Sequence, residues 1–556
     1  MIDVQDLIVA PILLPLLTAA VLLILGERHR PLKARLNLCS SVLGLALATW
    51  LLVQVDHGDR PISAYLAGNW SAPFGIVLIL DRLSALMMVL TGVLATCALL
   101  FATARWDRAG SNFHSLFQIQ LMGLYGAFLT GDLFNLFVFF EVLLAASYGL
   151  ILHGSGRARV SAGMHYIAIN LVASSLFLIG AAMIYGVTGT LNMADLAQKI
   201  PLVSEADRGL LHAGAAILAT AFLAKAGMWP LNFWLVPAYS AASAPVAALF
   251  AIMTKVGLYT LLRLWTLLFS KDAGASAHFG GDWLLYGGLA TLAFAAISIV
   301  AARRLERMAS LNILVSAGTL LAAVGFGQPA LTAAALFYLI SSTLALSTLF
   351  LLAELIERSR SVHEVPLDED DLVPTTFESL HPPKGINLDD EQKAVVGQVI
   401  PWTMAFLGMS FIACALLIIG MPPLSGFIAK IALISALLNP QGLDAAVSTS
   451  SGVAGWVFVA LLIITGLASL MGLTRVAILR FWAPQDRPSP LLRANECAPI
   501  VLLLGLCVLL TVRADPVLRF TQETARVLDE PSRYVLAVMG THAKPGPDAA
   551  TTQVEP

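Results

Sequence analysis

Charged side chains are scarce in this 556-residue sequence. Asp, Glu, Lys and Arg together make up 12% of it, against about 25% in an ordinary soluble domain. Hydrophobic residues reach 58%, and the mean hydropathy is +0.82. This composition excludes an ordinary soluble protein and indicates that most of the chain is solvated by lipid.

Signatures of soluble catalysis are also missing. The five cysteines show no CxxC spacing, which favours structural thiols. No glycine-rich phosphate loop follows a predicted strand, the histidines near helix ends lack metal-ligand spacing, and no basic cluster is long enough for nucleic acid. We therefore expect no cofactor, no metal centre, no nucleic-acid partner and no enzymatic activity of the chain itself, with the lipid bilayer as its surroundings.

What the sequence has instead is a series of long apolar windows, each suited to a spanning helix of roughly 20 residues. They predict an all-α polytopic membrane protein of about fourteen transmembrane helices. The predicted spans are 7–26, 35–54, 76–101, 114–131, 133–152, 163–187, 208–226, 244–266, 283–301, 308–326, 330–356, 402–438, 454–474 and 496–512. The seventh span runs into Met228-Trp229-Pro230 and the twelfth meets Gly420-Met421-Pro422-Pro423. Because proline removes a backbone donor and clashes with the preceding turn, we expect both helices to be broken.

The distribution of lysine and arginine predicts an orientation. With both termini outside the cytoplasm, most Lys and Arg residues of the loops fall on the cytoplasmic side, as the positive-inside rule requires. We expect a multi-pass protein of a bacterial inner membrane. Four segments are predicted: N-terminal helices 1–3 in 1–112, a first repeat of helices 4–8 in 113–266, a second repeat of helices 9–13 in 267–474, and a last helix with an amphipathic tail in 475–556. The acidic stretch 357–400 is read as a cytoplasmic loop, either a solvated linker or a docking segment.

Four ionisable residues lie inside apolar windows: Glu141, Lys225, Lys255 and Lys430. Each costs at least about 2.5 kcal/mol near the bilayer centre, so intramembrane charges are functional candidates by default. A buried lysine can become neutral or can stay charged beside a carboxylate, and a neighbouring charge can switch it. These properties favour a proton relay. The alternative is that Glu141 and Lys225 form a structural ion pair between two helices, although such a pair contributes little net stability.

The broken helices support transport independently, because unwound backbone at membrane depth is tolerated only in protein or beside a hydrated cavity. A lysine lies near each break, which predicts two related half-channels in tandem repeats of inverted topology. Two other acidic residues have structural interpretations. Asp132 is equally well explained as a helix N-cap or a cation attractant, and Asp81 is interpreted as an anchor at a helix boundary.

Two motifs resemble a known family. The run Ala224-Lys225-Ala226-Gly227-Met228-Trp229-Pro230-Leu231, with Pro237-Ala238-Tyr239 and Ala244-Pro245-Val246 beyond it, looks like the seventh and eighth helices of antiporter-like subunits. The run Gly420-Met421-Pro422-Pro423-Leu424-Ser425-Gly426-Phe427 with Lys430 looks like their twelfth helix. Such subunits occur in Mrp/Pha cation/proton antiporters, respiratory complex I and membrane-bound hydrogenases. Length and tail resemble those of the D-type subunits of the Mrp/Pha antiporters.

The resemblance implies a hydrated axis through the middle of the membrane, along which Glu141, Lys225, Lys255 and Lys430 relay protons. It implies an obligate complex with the A, B, C, E, F and G types of subunit, exchanging K+ or Na+ for protons in pH homeostasis. The acidic loop suggests the Pha-like branch and potassium. The alternatives are a proton-translocating subunit of a redox-driven complex, and a scaffold that conducts nothing.

The sequence departs from the family in its eleventh helix. Relatives commonly carry a histidine or lysine there, whereas this chain has Ser341, Ser342 and Thr343. Hydroxyls hold water but carry no proton charge at neutral pH. A relay from Lys255 to Lys430 would therefore need water held by these hydroxyls. The cation, the stoichiometry and the subunit that carries the cation are left open by the sequence.

Overall fold

A computed structural model describes residues 4–58, 61–358, 401–439, 452–482 and 491–541. In chain order its α-helices are α1 Val4–Leu7, α2 Ala10–Ile24, α3 Arg30–His57, α4 Arg82–Ala102, α5 Phe113–Leu129, α6 Leu133–Ile151, α7 Arg157–Thr188, α8 Met193–Lys199, α9 Glu205–Ala226, α10 Leu235–Ala241, α11 Ala244–Leu268, α12 Gly281–Ala301, α13 Leu305–Gly325, α14 Pro329–Arg358, α15 Trp402–Ile419, α16 Ser425–Leu438, α17 Val453–Ala477, α18 Ala494–Val512, α19 Ala514–Leu528 and α20 Pro531–Met539. Strands β1 Ile62–Leu66 and β2 Val77–Asp81 pair antiparallel. Of the predicted acidic loop, 359–400 lies outside the described residues.

The chain is a multi-pass, helical membrane protein, as its composition predicts. Among the described residues, 13 helices are long and apolar enough to cross a membrane. The difference from the predicted fourteen lies in α5, whose 17 residues are short for a span. The predicted third span also begins too early, because 77–81 forms strand β2 and the helix begins at Arg82.

Both predicted helix breaks are confirmed. Helix α9 ends at Ala226 and α15 ends at Ile419, and each is followed by a glycine in the left-handed region, Gly227 at φ +78° and Gly420 at φ +79°. This is the conformation in which a helix end is closed most easily, and glycine adopts it without a Cβ penalty. The chain then turns and resumes as α10 and α11 after the first break, and as α16 after the second.

The core of the bundle is built by α11, α13 and α14. These helices are buried along nearly their whole apolar windows, whereas α2, α3 and α18 expose most of theirs. Exposed apolar faces are expected where lipid is the solvent. Helix α11, which carries Lys255, therefore lies inside protein, where polar side chains are tolerated. The helices that carry Glu141 and Lys225 are less enclosed, because 50% of the apolar window of α6 and 56% of that of α9 is buried.

A buried ion pair ties the β-hairpin to the core. The Asp81 side chain accepts from the Ser84 backbone as the cap of α4, and it binds the Arg263 guanidinium of α11 at 2.6 and 2.8 Å. Tyr534 of α20 lies with its ring centroid 5.4 Å from that guanidinium. Burial raises the pKa of Asp81, but the Arg263 charge and the Ser84 hydrogen bonds outweigh burial and hold the pKa below its usual value. The interpretation of Asp81 as a boundary anchor agrees with these contacts.

Candidate functional site

The first half of the predicted relay lies where α6, α7 and α9 meet. The Glu141 carboxylate of α6 accepts a hydrogen bond from the Ser174 hydroxyl of α7. Lys225 lies in the last turn of α9, is 6% exposed, and places its Nζ atom 4.6 Å from the centre of the Phe140 ring. Glu141 is close enough to attract the Lys225 charge. A carboxylate and a buried lysine are thus electrostatic neighbours.

The hydrogen-bonded ion pair between Glu141 and Lys225, the structural alternative, is not formed. No ion pair joins these two described residues, and Lys225 Nζ has no hydrogen-bond partner. At the helix break, Ala224 O already accepts from Trp234 Nε1 at 3.1 Å and from the Gly227 backbone at 3.3 Å. A buried polar group without a partner is costly. The position is therefore suited to a group that changes its partner or its charge, and poorly suited to fastening two helices.

Lys225 of α9 and Lys255 of α11 lie on adjacent helices, and these two helices are in close contact. A Cβ atom at Gly257 would lie 3.3 Å from Lys225 Cβ, so α9 and α11 approach each other two residues from Lys255. Lys255 is 1% exposed and donates through Nζ to the Ser316 hydroxyl of α13 at 2.7 Å. Ser316 in turn lies 3.0 Å from the Ser342 hydroxyl of α14. The side chain of Lys255 therefore points into the second repeat.

A small cavity continues this track of hydroxyl groups. Ser341 and Ser342 line a cavity of about 20 Å³ together with Asn312, Tyr338 and Gly426. A cavity of roughly 10–15 Å³ is enough for one water when polar partners surround it. On the far side the Ser341 hydroxyl lies 2.9 Å from the Ser425 hydroxyl, at the first residue of α16. The hydroxyls of α14 thus face both flanking helices and enclose room for a single water molecule.

Lys430 lies five residues after Ser425 on α16. It is 9% exposed, and its Nζ atom donates to Ile419 O at 2.6 Å. Ile419 ends α15, and the last carbonyl groups of a helix have no partner within the helix. The second break therefore supplies the acceptor that holds Lys430. A Cβ at Gly466 would come within 3.2 Å of Nζ, so glycine leaves room for the ammonium beside α17.

Three residues of this arrangement were not singled out from the sequence: Ser174, Ser316 and Ser425. Each is a hydroxyl in an apolar helix. Hydroxyls of this kind often bond to their own backbone, as Thr348 does to Leu344 O at 2.8 Å. A sequence carries no signal that separates the two cases, because the difference depends on which helix packs opposite.

Asp132 acts as a helix cap. Its side chain accepts from the Asn135 backbone at 2.9 Å, at the first turn of α6. Burial raises the pKa of Asp132, and hydrogen bonds from the Asn135 and Phe134 backbone lower it less. This contact supports the cap interpretation.

The sequence matches a known transport family. Residues 130–454 match the family model described as NADH:quinone oxidoreductase/Mrp antiporter, TM. A Rhizobium meliloti protein, named as the D subunit of a probable K(+)/H(+) antiporter, is 51% identical over 94% of this chain and 95% of the relative. An Alkalihalophilus pseudofirmus protein, named as the D subunit of a Na(+)/H(+) antiporter, is 32% identical over 96% of this chain and 99% of the relative.

Solved structures share the fold. A chain in the Mrp complex from Dietzia sp. DQ12-45-1b superimposes with a TM-score of 0.78 at 25% identity, covering 97% of this chain and 100% of that one. A chain of respiratory complex I from Thermus thermophilus superimposes with a TM-score of 0.71 at 20% identity, covering 94% and 99%. The second likeness is one of fold alone.

The unpartnered Lys225 side chain generates a prediction about stability. Lys225→Met keeps an unbranched side chain that is shorter by the terminal nitrogen, and it removes a buried polar group without a hydrogen bond, so it should raise the free energy of unfolding by about 1–3 kcal/mol. Lys255→Met is the matched control, because it also leaves the Ser316 hydroxyl without its donor and should stabilise less or destabilise. Thermal unfolding of the purified assembly measures both. A lower unfolding midpoint for Lys225→Met than for Lys255→Met would contradict the unpartnered state of Lys225.

Proposed function

The chain belongs to the NADH:quinone oxidoreductase/Mrp antiporter transmembrane family, and on that basis we propose that it is the D-type membrane subunit of a multisubunit cation/proton antiporter. The relatives named as antiporter D subunits align over nearly their whole length. We propose the other antiporter subunit types as its partners, and proton translocation coupled to monovalent cation exchange as its activity. The chain itself is a transporter component and not an enzyme.

One observation carries the proposal: three buried lysines and one partly buried glutamate lie in the helical bundle. Of the side chains proposed to move protons, Lys225, Lys255 and Lys430 are all at least nine-tenths buried, and only Glu141 is acidic. A single carboxylate cannot neutralise three ammonium groups at once. Bringing or removing one charge therefore changes the free energy of protonation of its neighbours, which is the requirement for a relay.

We propose a proton path with two parts. In the first part, a proton passes between Glu141 and Lys225 at the break between α9 and α10. In the second part, the Ser316 and Ser342 hydroxyls and one water molecule in the cavity carry the proton from Lys255 toward Ser341, Ser425 and Lys430. Hydroxyls and water both donate and accept, so such a chain can pass a proton although no histidine or lysine lies on α14.

Potassium is the cation we propose. The relative named for K(+)/H(+) exchange is 51% identical, against 32% for the relative named for Na(+)/H(+) exchange. The acidic loop, which suggests the Pha-like branch of the family, also favours potassium. We also propose that the arginine-rich ends of the helices face the cytoplasm and that both termini lie outside it. The boundaries of the two repeats stay predictions. The likeness to respiratory complex I is one of fold, so it supports no redox-driven alternative.

The switching role of Lys225 is tested by Lys225→Arg. Arginine keeps the positive charge but stays protonated under ordinary conditions. The variant should assemble normally and lose proton-coupled exchange by at least about a hundredfold, and Lys225→Ala should lose it as well. Fluorescence of a pH-sensitive dye in inverted vesicles that contain the whole complex measures exchange, and copurification of the subunits measures assembly.

Lys271→Arg is the matched control for this test. Lys271 pairs with Asp529 at 3.0 Å on the exposed surface, so the replacement should leave the exchange rate unchanged. Exchange at the wild-type rate in Lys225→Arg would identify Lys225 as a fixed charge and contradict the first step of the relay.

The hydroxyl path in the second half is tested at Ser342. Ser342→Val removes the hydroxyl and fills the water-sized cavity, so exchange should fall by about tenfold or more. Ser342→Ala leaves space for a second water and should keep a larger part of the activity. Thr348→Val, on the same helix, removes a hydroxyl that bonds to its own backbone, and it should have little effect. Equal rates in the valine and wild-type proteins would exclude a path through Ser342.

A further inference from the structure

A second, larger cavity lies at the arginine-rich end of the helices, away from the relay. Its volume is about 530 Å³, and it lies where the C-terminal ends of α4 and α14 meet the N-terminal ends of α7, α11 and α13. The ends of α7 and α11 contribute Arg157, Arg159 and Ser243, whereas the ends of α13 and α14 contribute Glu306, Glu354 and Glu357 together with Arg304 and Arg358. The acidic groups of the cavity thus come from α13 and α14 only.

The wall formed by α7 and α11 is suited to an anion. Helix α11 is 25 residues long and begins after Ser243, which makes no side-chain cap. The N-terminal end of a helix carries partial positive charge and attracts anions. The Ser243 hydroxyl is 1% exposed and has no hydrogen-bond partner. Arg157 and Arg159, in the first turn of α7, line the same cavity. An uncapped helix, an unused buried hydroxyl and two guanidinium groups together match a phosphate group.

Arg159 also holds this wall in place. It donates to Ala241 O at 2.9 Å and to His153 O at 2.9 Å, and its guanidinium lies 5.3 Å from the centre of the Trp106 ring. The wall is therefore a built surface whose shape does not depend on an occupant.

The opposite wall is suited to a cation that donates hydrogen bonds. Glu306 Oε2 is buried and accepts no hydrogen bond, and its ion pair with Arg304 Nε is long, at 3.8 Å. Glu354, by contrast, is already paired with Arg358 at 2.8 Å and accepts from Trp106 Nε1 at 2.6 Å. Glu306 therefore has acceptor capacity left over.

We propose that this cavity binds the headgroup of a phospholipid that carries a phosphate and a primary ammonium, as in phosphatidylethanolamine. The phosphate would lie against Ser243, Arg157 and the N-terminal end of α11, and the ammonium would donate to Glu306. Inorganic phosphate would leave Glu306 without a donor and would be repelled by it. A choline headgroup has the positive charge but no N–H donor. The site lies outside the proposed relay and does not depend on the proposed antiport function.

The test measures lipid binding to the purified, delipidated complex by native mass spectrometry. Phosphatidylethanolamine, phosphatidylcholine and phosphatidylglycerol of identical acyl chains are added separately, and inorganic phosphate is added as a competitor. We expect phosphatidylethanolamine to bind about tenfold more tightly than the other two lipids. Ser243→Ala and Arg157→Gln should each weaken binding of all three lipids about fivefold. Glu306→Gln should remove the preference for ethanolamine over choline and leave phosphatidylcholine binding unchanged.

The control is Arg108→Gln, an exposed arginine at the same end of the bundle but in a different cavity. It should change no affinity. Equal binding of the three lipids to the wild type would overturn the proposal, as would variants at Ser243, Arg157 and Glu306 that behave like Arg108→Gln. Binding of inorganic phosphate with no lipid retained would also overturn it.

Discussion

The structure depends on one electrostatic constraint: three buried lysines and one partly buried glutamate share a helical bundle where charge is expensive. Two unit charges interact several times more strongly in such surroundings than in water. The same surroundings penalise each unpaired charge. The protein provides each lysine with a different environment, an aromatic face for Lys225, a hydroxyl for Lys255 and a backbone carbonyl for Lys430. None of these partners carries a full negative charge, so the charge balance stays open to change.

The helix breaks follow from the same constraint. A continuous helix satisfies its own backbone and offers nothing to a buried ammonium, whereas an interrupted helix frees carbonyl groups at its end. At the second break Ile419 O holds Lys430, whereas at the first break Ala224 O accepts from Trp234 and Lys225 Nζ has no hydrogen-bond partner. The two breaks share a left-handed glycine after the helix, but the carbonyl groups at the two helix ends bind different side chains. That difference favours a switching role for the first half and a receiving role for the second in the mechanism proposed above.

Much of this arrangement could be predicted from the sequence, because charge inside an apolar window and proline after a helical run are strong local signals. The helix breaks and the fold class are such cases. The partners of the lysines could not be predicted, since a serine in a membrane helix looks the same whether it bonds to its own turn, as Thr319 does to Val315 O, or to a neighbouring helix, as Ser316 does. The hairpin was missed because strand β2 is uniformly apolar up to Asp81 and its sequence continues into that of α4.

The most direct test removes the carboxylate of Glu141, the one acidic group among the four proposed relay residues. Cation-driven proton movement is measured in inverted vesicles from cells that express the complete set of subunits, with potassium and sodium added separately, for the wild type and Glu141→Gln. The account predicts full assembly and no exchange in Glu141→Gln, because the remaining lysines have no acidic group against which to shift charge. Exchange at the wild-type rate in an assembled Glu141→Gln complex would contradict it.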